Sequence, residues 1–336
     1  MPATPTVICR RDGRIGRILL NRPAALNALD LPMIEAVQAA LDGWRDDPHV
    51  HAVAIEGTGG RAFCAGGDIR AIRDHALAGN DAAMRAFFTA EYALNQTIAF
   101  YSKPHVALID GICMGGGIGL SVHGTVRVAT EAASFAMPET GIGLFPDIGA
   151  TFILPRLPGA LGMYLGLTGA RLAGADAAHA GLATHFVPRA HLAALSAALA
   201  EEGVAALARF AAPLPPFSLA PHRAAIDRCF SESSVPAILA ALKRERSEWA
   251  EQTLATLRGA SPSAVLWSFE IIRRGADRTL PECLAAELVL VMQVTHHPDF
   301  IEGVRAMVVD KDRTPRWQPA RIEDAEPAPL LDHASR

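Results

Sequence analysis

Two glycine clusters constrain this chain more than any other feature. GTGGRAFCAGGDIR (57–70) and GICMGGGIGL (111–120) each follow a short apolar run that reads as a strand and lead into a run that reads as a helix. Glycine at such a junction turns backbone N–H groups outward and lets a ligand approach the main chain closely. Two loops of this kind can each offer one N–H to a single oxygen, forming an oxyanion hole. Taken singly, either loop is as well explained by a tightly packed turn. Neither carries the G-x-G-x-x-G or G-x-x-x-x-G-K-[ST] pattern, so a dinucleotide or P-loop fold loses its main support.

The same alternation runs through the first half of the chain. GRIGRILLNRP reads as strand and turn, LDLPMIEAVQAALDGWRDD as an amphipathic helix, and HVHAVAIEG as a strand. TGGRAFCAGGD reads as a loop, and IRAIRDHALAG and DAAMRAFFTAEYALNQTIAFYS as helices. KPHVALIDG and TVRVATEAASFAMPE supply more strand, and PDIGATFILPRLPG leads into a helix. From about residue 188 the patterns are nearly all helical, and four prolines between Pro213 and Pro221 mark an ordered crossing. The expected organisation is an α/β core over 1–188, a helical region over 189–317 and a loose tail over 318–336.

Composition narrows the function classes. Half of the 336 residues are hydrophobic and 20% are charged, which is globular rather than disordered. The net charge of −4 gives no basic footprint for nucleic acid or an anionic membrane. The N-terminus lacks a secretory h-region, and no uninterrupted apolar stretch approaches a membrane span. The five cysteines are scattered with no CxxC pair, fitting neither a disulfide framework nor a zinc site, and the histidines are mostly single. These features predict a soluble protein of a reducing compartment, most simply the cytoplasm, with no metal.

Three acids and one serine are candidates for chemistry. Glu139 and Asp147, in MPETGIGLFPDIG, stand eight residues apart, and the glycines and proline between them forbid a continuous helix. A loop that bends twice can place both acids in one apolar pocket. Against that, Asp147 has the setting of a helix cap and Glu139 that of a surface acid ending a strand. Glu91, mid-helix in FFTAEYALNQ, reads by itself as part of a solvated face. Ser121, in GLSVHG, misses the nucleophile elbow by one residue, because His123 stands where the second glycine belongs. It reads as a small helix-packing residue.

Four segments, taken together, resemble the crotonase (enoyl-CoA hydratase/isomerase) superfamily in order and spacing: LNRPAALNAL (20–29), AFCAGGDIR (62–70), KPHVALIDGICMGGGIGL (103–120) and FAMPETGIGLFPDIG (135–149). LSVHGTVRVATE, LTGARLAG, AGLATHFV and the C-terminal DFIEGVRAMVVDKDRTPRW are similar to its thioester-hydrolysing subgroup. The resemblance covers nearly all of residues 7–317.

The resemblance implies a crotonase-like spiral of ββα units with a helical C-terminal region. It also implies an acyl-CoA substrate whose thioester oxygen lies between the N–H groups of Gly67 and Gly116, with Ala65, Asp68 and Ile69 along the CoA. Glu139 matches a catalytic glutamate of the hydratases. Their other glutamate is replaced here by Gly119, while Asp147 and Glu91 match the hydrolase subgroup. One acid would then activate or deliver the attack, and the others would orient substrate or water. The implied activity is hydrolysis of 3-hydroxyisobutyryl-CoA or a close short 3-hydroxyacyl-CoA, with no cofactor and possibly as a homo-oligomer. A hydratase or isomerase on the same scaffold, and a catalytically silent binding scaffold, are the alternatives.

Overall fold

The computed structural model describes residues 5–325, so 326–336 of the expected tail lie outside the described residues. Among the described residues ten strands form two sheets: β1 (Val7–Asp12), β2 (Ile15–Leu20), β3 (Ala52–Gly57), β4 (Ala62–Cys64), β5 (His105–Ile109), β6 (Ile112–Met114), β7 (Val126–Ala129), β8 (Ser134–Ala136), β9 (Leu172–Ala173) and β10 (His185–Phe186). The larger sheet has the order β1-β2-β3-β5-β7-β10 and the smaller one β4-β6-β8-β9. β1 and β2 are an antiparallel hairpin, and every later pairing in the larger sheet is parallel.

That order makes the spiral explicit. β3 then β4, β5 then β6, and β7 then β8 each give one strand to the large sheet and the next to the small one. The chain then returns through other structure to the next parallel strand. β4 falls inside the stretch that reads as a loop from sequence; three residues are too few to show a period, and they become a strand only by pairing with β6.

The helices that carry site residues are α1 (Leu31–Arg45), α2 (Ile69–Leu77), α3 (Asp81–Ala99), α4 (Gly116–Val122) and α5 (Ala150–Ile153). α1 starts where Asp30 accepts from the Met33 N–H at 3.0 Å, with proline in the first turn. α5 is a single turn, continued by a 3-10 turn over Leu154–Arg156 that contains Pro155. From residue 189 onward the described chain is helices and irregular segments only.

The chain divides into two compact units. The first comprises Met1–Gly67, Ala90–Phe135 and Leu172–Ser218, and holds both sheets apart from the last residue of β8. Its core sets Ile15, Ala54, Val106, Leu108 and Val128 of the large sheet against Leu195, Ala198 and Leu199 of the helix Arg189–Glu202. Arg189–Phe210 is long and apolar enough to cross a membrane by length and composition, and these buried side chains belong to the sheet's own core.

The second unit comprises Asp68–Thr89, Ala136–Arg171 and Leu219–Arg336. It is built on helices such as Pro262–Gly275, Leu280–Val294 and Pro298–Val304.

Candidate active site

In the first unit the two glycine loops meet. The first is held by the LNRPAALNAL segment: Leu29 N–H donates to Gly66 O at 2.8 Å, Ala65 N–H to Leu26 O at 3.1 Å, and Leu29 bridges Gly67 in parallel. Asn27, fully buried, ties the segment down. Its amide donates to Thr58 O at 3.1 Å and Ala62 O at 3.0 Å, and its carbonyl accepts from the Arg22 N–H at 2.9 Å. Gly66 has φ +106, a conformation that favours glycine.

The second loop starts α4 at Gly115 and Gly116. A Cβ placed on Gly116 would collide with Glu91 Oε1 and lie 3.3 Å from the Gly67 backbone nitrogen. Gly67, Gly116 and the Glu91 carboxylate therefore converge on one spot, and glycine at 116 keeps it open. Glu91 is 3% exposed, so the solvated-face reading fails. Ser121 donates its hydroxyl to the carbonyls of Gly117 and Ile118 within α4, the packing role expected of it. Gly119 gives this buried helix no side chain.

Ala65, Gly67, Asp68 and Ile69 are partly exposed. Asp68 caps α2 through the Ala71 N–H at 3.3 Å.

Glu139 and Asp147 belong to the second unit, on a segment that does bend twice. Glu139 opens a 3-10 turn, Glu139–Ile142, closed by Gly143 at φ +71. Ile148 (φ +57) and Gly149 (φ +80) make the second bend, just before α5. Both acids are nearly enclosed, at 6% and 5% exposure, on a segment whose Leu144, Phe145 and Ile148 are buried as well. The surface-acid reading of Glu139 therefore fails. The cap position of α5 is taken by Gly149, not Asp147.

Each bend is buttressed by residues that sequence reasoning missed. Ser261 N–H donates to Thr140 O at 3.0 Å, and its hydroxyl donates to Asp299 at 2.6 Å. Asp299, fully buried, also accepts from the Gln318 N–H at 2.7 Å, which links DFIEGV to the turn bearing Glu139. Burial pushes the Asp299 carboxyl up, against the hydrogen bonds from Ser261 and Gln318 that pull it down.

At the second bend Glu287 accepts from the Gly149 N–H at 2.7 Å, the Thr151 N–H at 3.1 Å and the Thr151 hydroxyl. Burial pushes its carboxyl up to about 8; the charge of Asp147 adds to the push, and the donors oppose it. A signal for Glu287 existed. It is the one acid on a helix face shared with Cys283, Leu284, Leu290, Val291 and Val294.

Among the described residues no group of three His, Cys, Asp or Glu could hold a metal ion. The first unit offers a pair of adjoining glycine loops with a carboxylate beside them, and the second offers two enclosed carboxylates on a twice-bent segment.

Known proteins similar in sequence and fold place the chain in a family. The sequence model of the family described as Enoyl-CoA hydratase/isomerase matches residues 15–333. The 3-hydroxyisobutyryl-CoA hydrolase of Xenopus tropicalis, named as mitochondrial, is 47% identical over 94% of this chain and 84% of its own length. The human protein of the same name is 42% identical over 98% of this chain and 89% of its own. The crystal structure of a carnitinyl-CoA dehydratase from Mycobacterium thermoresistibile superposes with a TM-score of 0.94, at 38% identity, covering 98% of this chain and 96% of that one. The mitochondrial names of the animal relatives overturn the cytoplasmic location expected from sequence features such as cysteine usage. Those features separate secreted from intracellular proteins and do not resolve compartments within the cell. Fold, motifs and relatives together assign the chain to the crotonase, or enoyl-CoA hydratase/isomerase, family.

Proposed function

We propose that this chain hydrolyses the thioester of 3-hydroxyisobutyryl-CoA, or of a close short 3-hydroxyacyl-CoA, to the free acid and CoA, a step of valine catabolism. The observation that carries this reading is the enclosed pair Glu139 and Asp147 on one bent segment, in a chain whose α4 has only Gly119 where a hydratase carries its other glutamate. The names of the relatives, at 47% and 42% identity, support it.

In the proposed reaction the thioester oxygen accepts from the Gly67 and Gly116 N–H groups. They hold the negative charge of the tetrahedral intermediate, each contributing about 3–4 kcal/mol in holes of this kind. Glu139 supplies the attack. It either takes a proton from water as that water adds to the carbonyl, or adds directly to form a mixed anhydride that water then opens. The C–S bond breaks and CoA leaves as a thiolate, a good leaving group that needs no strong acid. Asp147 accepts a hydrogen bond from the substrate's 3-hydroxyl, and Glu91 stands beside the glycine pair. Water is consumed and no oxidation state changes, so the reaction balances without a metal or redox cofactor.

A second reading, hydration or dehydration of an enoyl-CoA, is favoured by the carnitinyl-CoA dehydratase at TM-score 0.94. Free-thiol release across a small acyl-CoA panel separates the readings. Hydrolysis predicts fast release from 3-hydroxyisobutyryl-CoA and slower release from isobutyryl-CoA. Absence of thiol release from every member would defeat it.

A further inference from the structure

The turn that carries Asp147 holds two consecutive left-handed residues, Ile148 at φ +57 and Gly149 at φ +80. For glycine this is free, but a β-branched residue there costs roughly 1–2 kcal/mol and persists only where its surroundings over-determine it. Such a run of backbone also turns successive N–H groups toward a common point and makes an anion-binding concavity.

Here the concavity is filled from within the chain. Glu287, fully buried on the helix Leu280–Val294, receives the N–H groups of Gly149 and Thr151 and the hydroxyl of Thr151. The turn closes on itself through Ala150 N–H to Asp147 O at 2.8 Å. Asp147 is thus two residues from the first bond to Glu287, inside the strained turn those bonds hold.

We propose that Glu287 is the positioning residue of Asp147: its buried carboxyl group, through the bonds to Gly149 and Thr151, locks the Ile148–Gly149 turn in the left-handed conformation that presents Asp147 to substrate. This rests on the reading of Asp147 as a substrate-contacting acid. Glu287 touches no substrate and acts only through the turn. A charge near Asp147 with no bonds to its turn would tune it without fixing its direction; three bonds to the next four residues fix it.

The test is a double-mutant cycle between positions 147 and 287, read as kcat/KM for thiol release, with thermal unfolding of each variant recorded alongside. Glu287→Leu keeps an apolar side chain of similar length but accepts no bond. It lowers kcat/KM by about 10²-fold, the loss typical of an ångström of misplacement. In an Asp147→Asn background the same change lowers it little further, because the group it positions is already disabled. Equal losses in both backgrounds, or a folded Glu287→Leu with wild-type kcat/KM, would overturn the proposal.

If Glu287→Leu does not fold, Thr151→Val carries the cycle. It removes one donor to Glu287 and leaves both backbone bonds, and it is judged by the same non-additivity. Thr151→Ser, which restores the hydroxyl, should recover most of what Thr151→Val loses. The underlying reading fails separately: Asp147→Asn alone would then retain its activity.

Discussion

Glu139 is where the proposed reaction is most exposed to a single atom. Glu139→Gln keeps the shape of the side chain but offers neither a base nor a nucleophile. Loss of a general base alone costs on the order of 10²–10⁴ in rate, so CoA release should nearly vanish while acyl-CoA still binds. Thiol release and a binding titration on the same preparation check both halves. Glu287 makes a different residue-scale prediction. Burial pushes its folded carboxyl up to about 8 from an ordinary 4.5, so between those pH values the folded chain holds a proton that the unfolded chain has released. This contribution to stability therefore falls as pH rises through that window. Glu287→Gln, which cannot titrate, should remove that part of the slope when urea unfolding is followed across it; an unchanged slope would mean that Glu287 is not the source.

Among elements, α4 and the first glycine loop are tested by Gly116→Ala. Alanine favours a helix over glycine by about 1 kcal/mol, so α4 itself should not weaken. The new methyl would meet Glu91 Oε1 and lie 3.3 Å from the Gly67 nitrogen, crowding the spot assigned to the thioester oxygen. Crowding that keeps the thioester oxygen from one donor costs about 10²–10³ in kcat, and a loss of that size is expected together with a Tm lowered by the clash with Glu91. Wild-type kcat would remove the glycine pair from the reaction. The glycine loops were legible in sequence because glycine between strand and helix is a local signal. The same holds for the amphipathic pattern of α1 and for the loop breakers between Glu139 and Asp147. β4 was not legible, since its three residues gain their identity from β6. Asp299 was not either, and Glu287 showed only as an acid on an apolar helix face, for their partners lie 38 and 138 residues away, at Ser261 and Gly149. Long-range pairing leaves no period behind.

At the scale of the whole molecule, the family resemblance carried the spiral, which periodicity alone did not supply. Strand order then explains it, with successive strands going alternately to two sheets. The scaffold is shared by hydratases and dehydratases, so the fold does not choose the reaction. The choice lies in which acids the scaffold holds and where. Hydration of an enoyl-CoA needs groups that position one water and deliver its proton and hydroxide to adjacent carbons. This chain has Gly119 where a hydratase has one of those groups, and carries Asp147 on a separate loop instead. The direct test presents the purified protein with 3-hydroxyisobutyryl-CoA and crotonyl-CoA in parallel, following free thiol and the conjugated enoyl absorbance together. Hydrolysis predicts rapid thiol release from the first substrate, with the absorbance of the second lost slowly and only as thiol appears. Rapid loss of conjugation from crotonyl-CoA without thiol release from either substrate would contradict it.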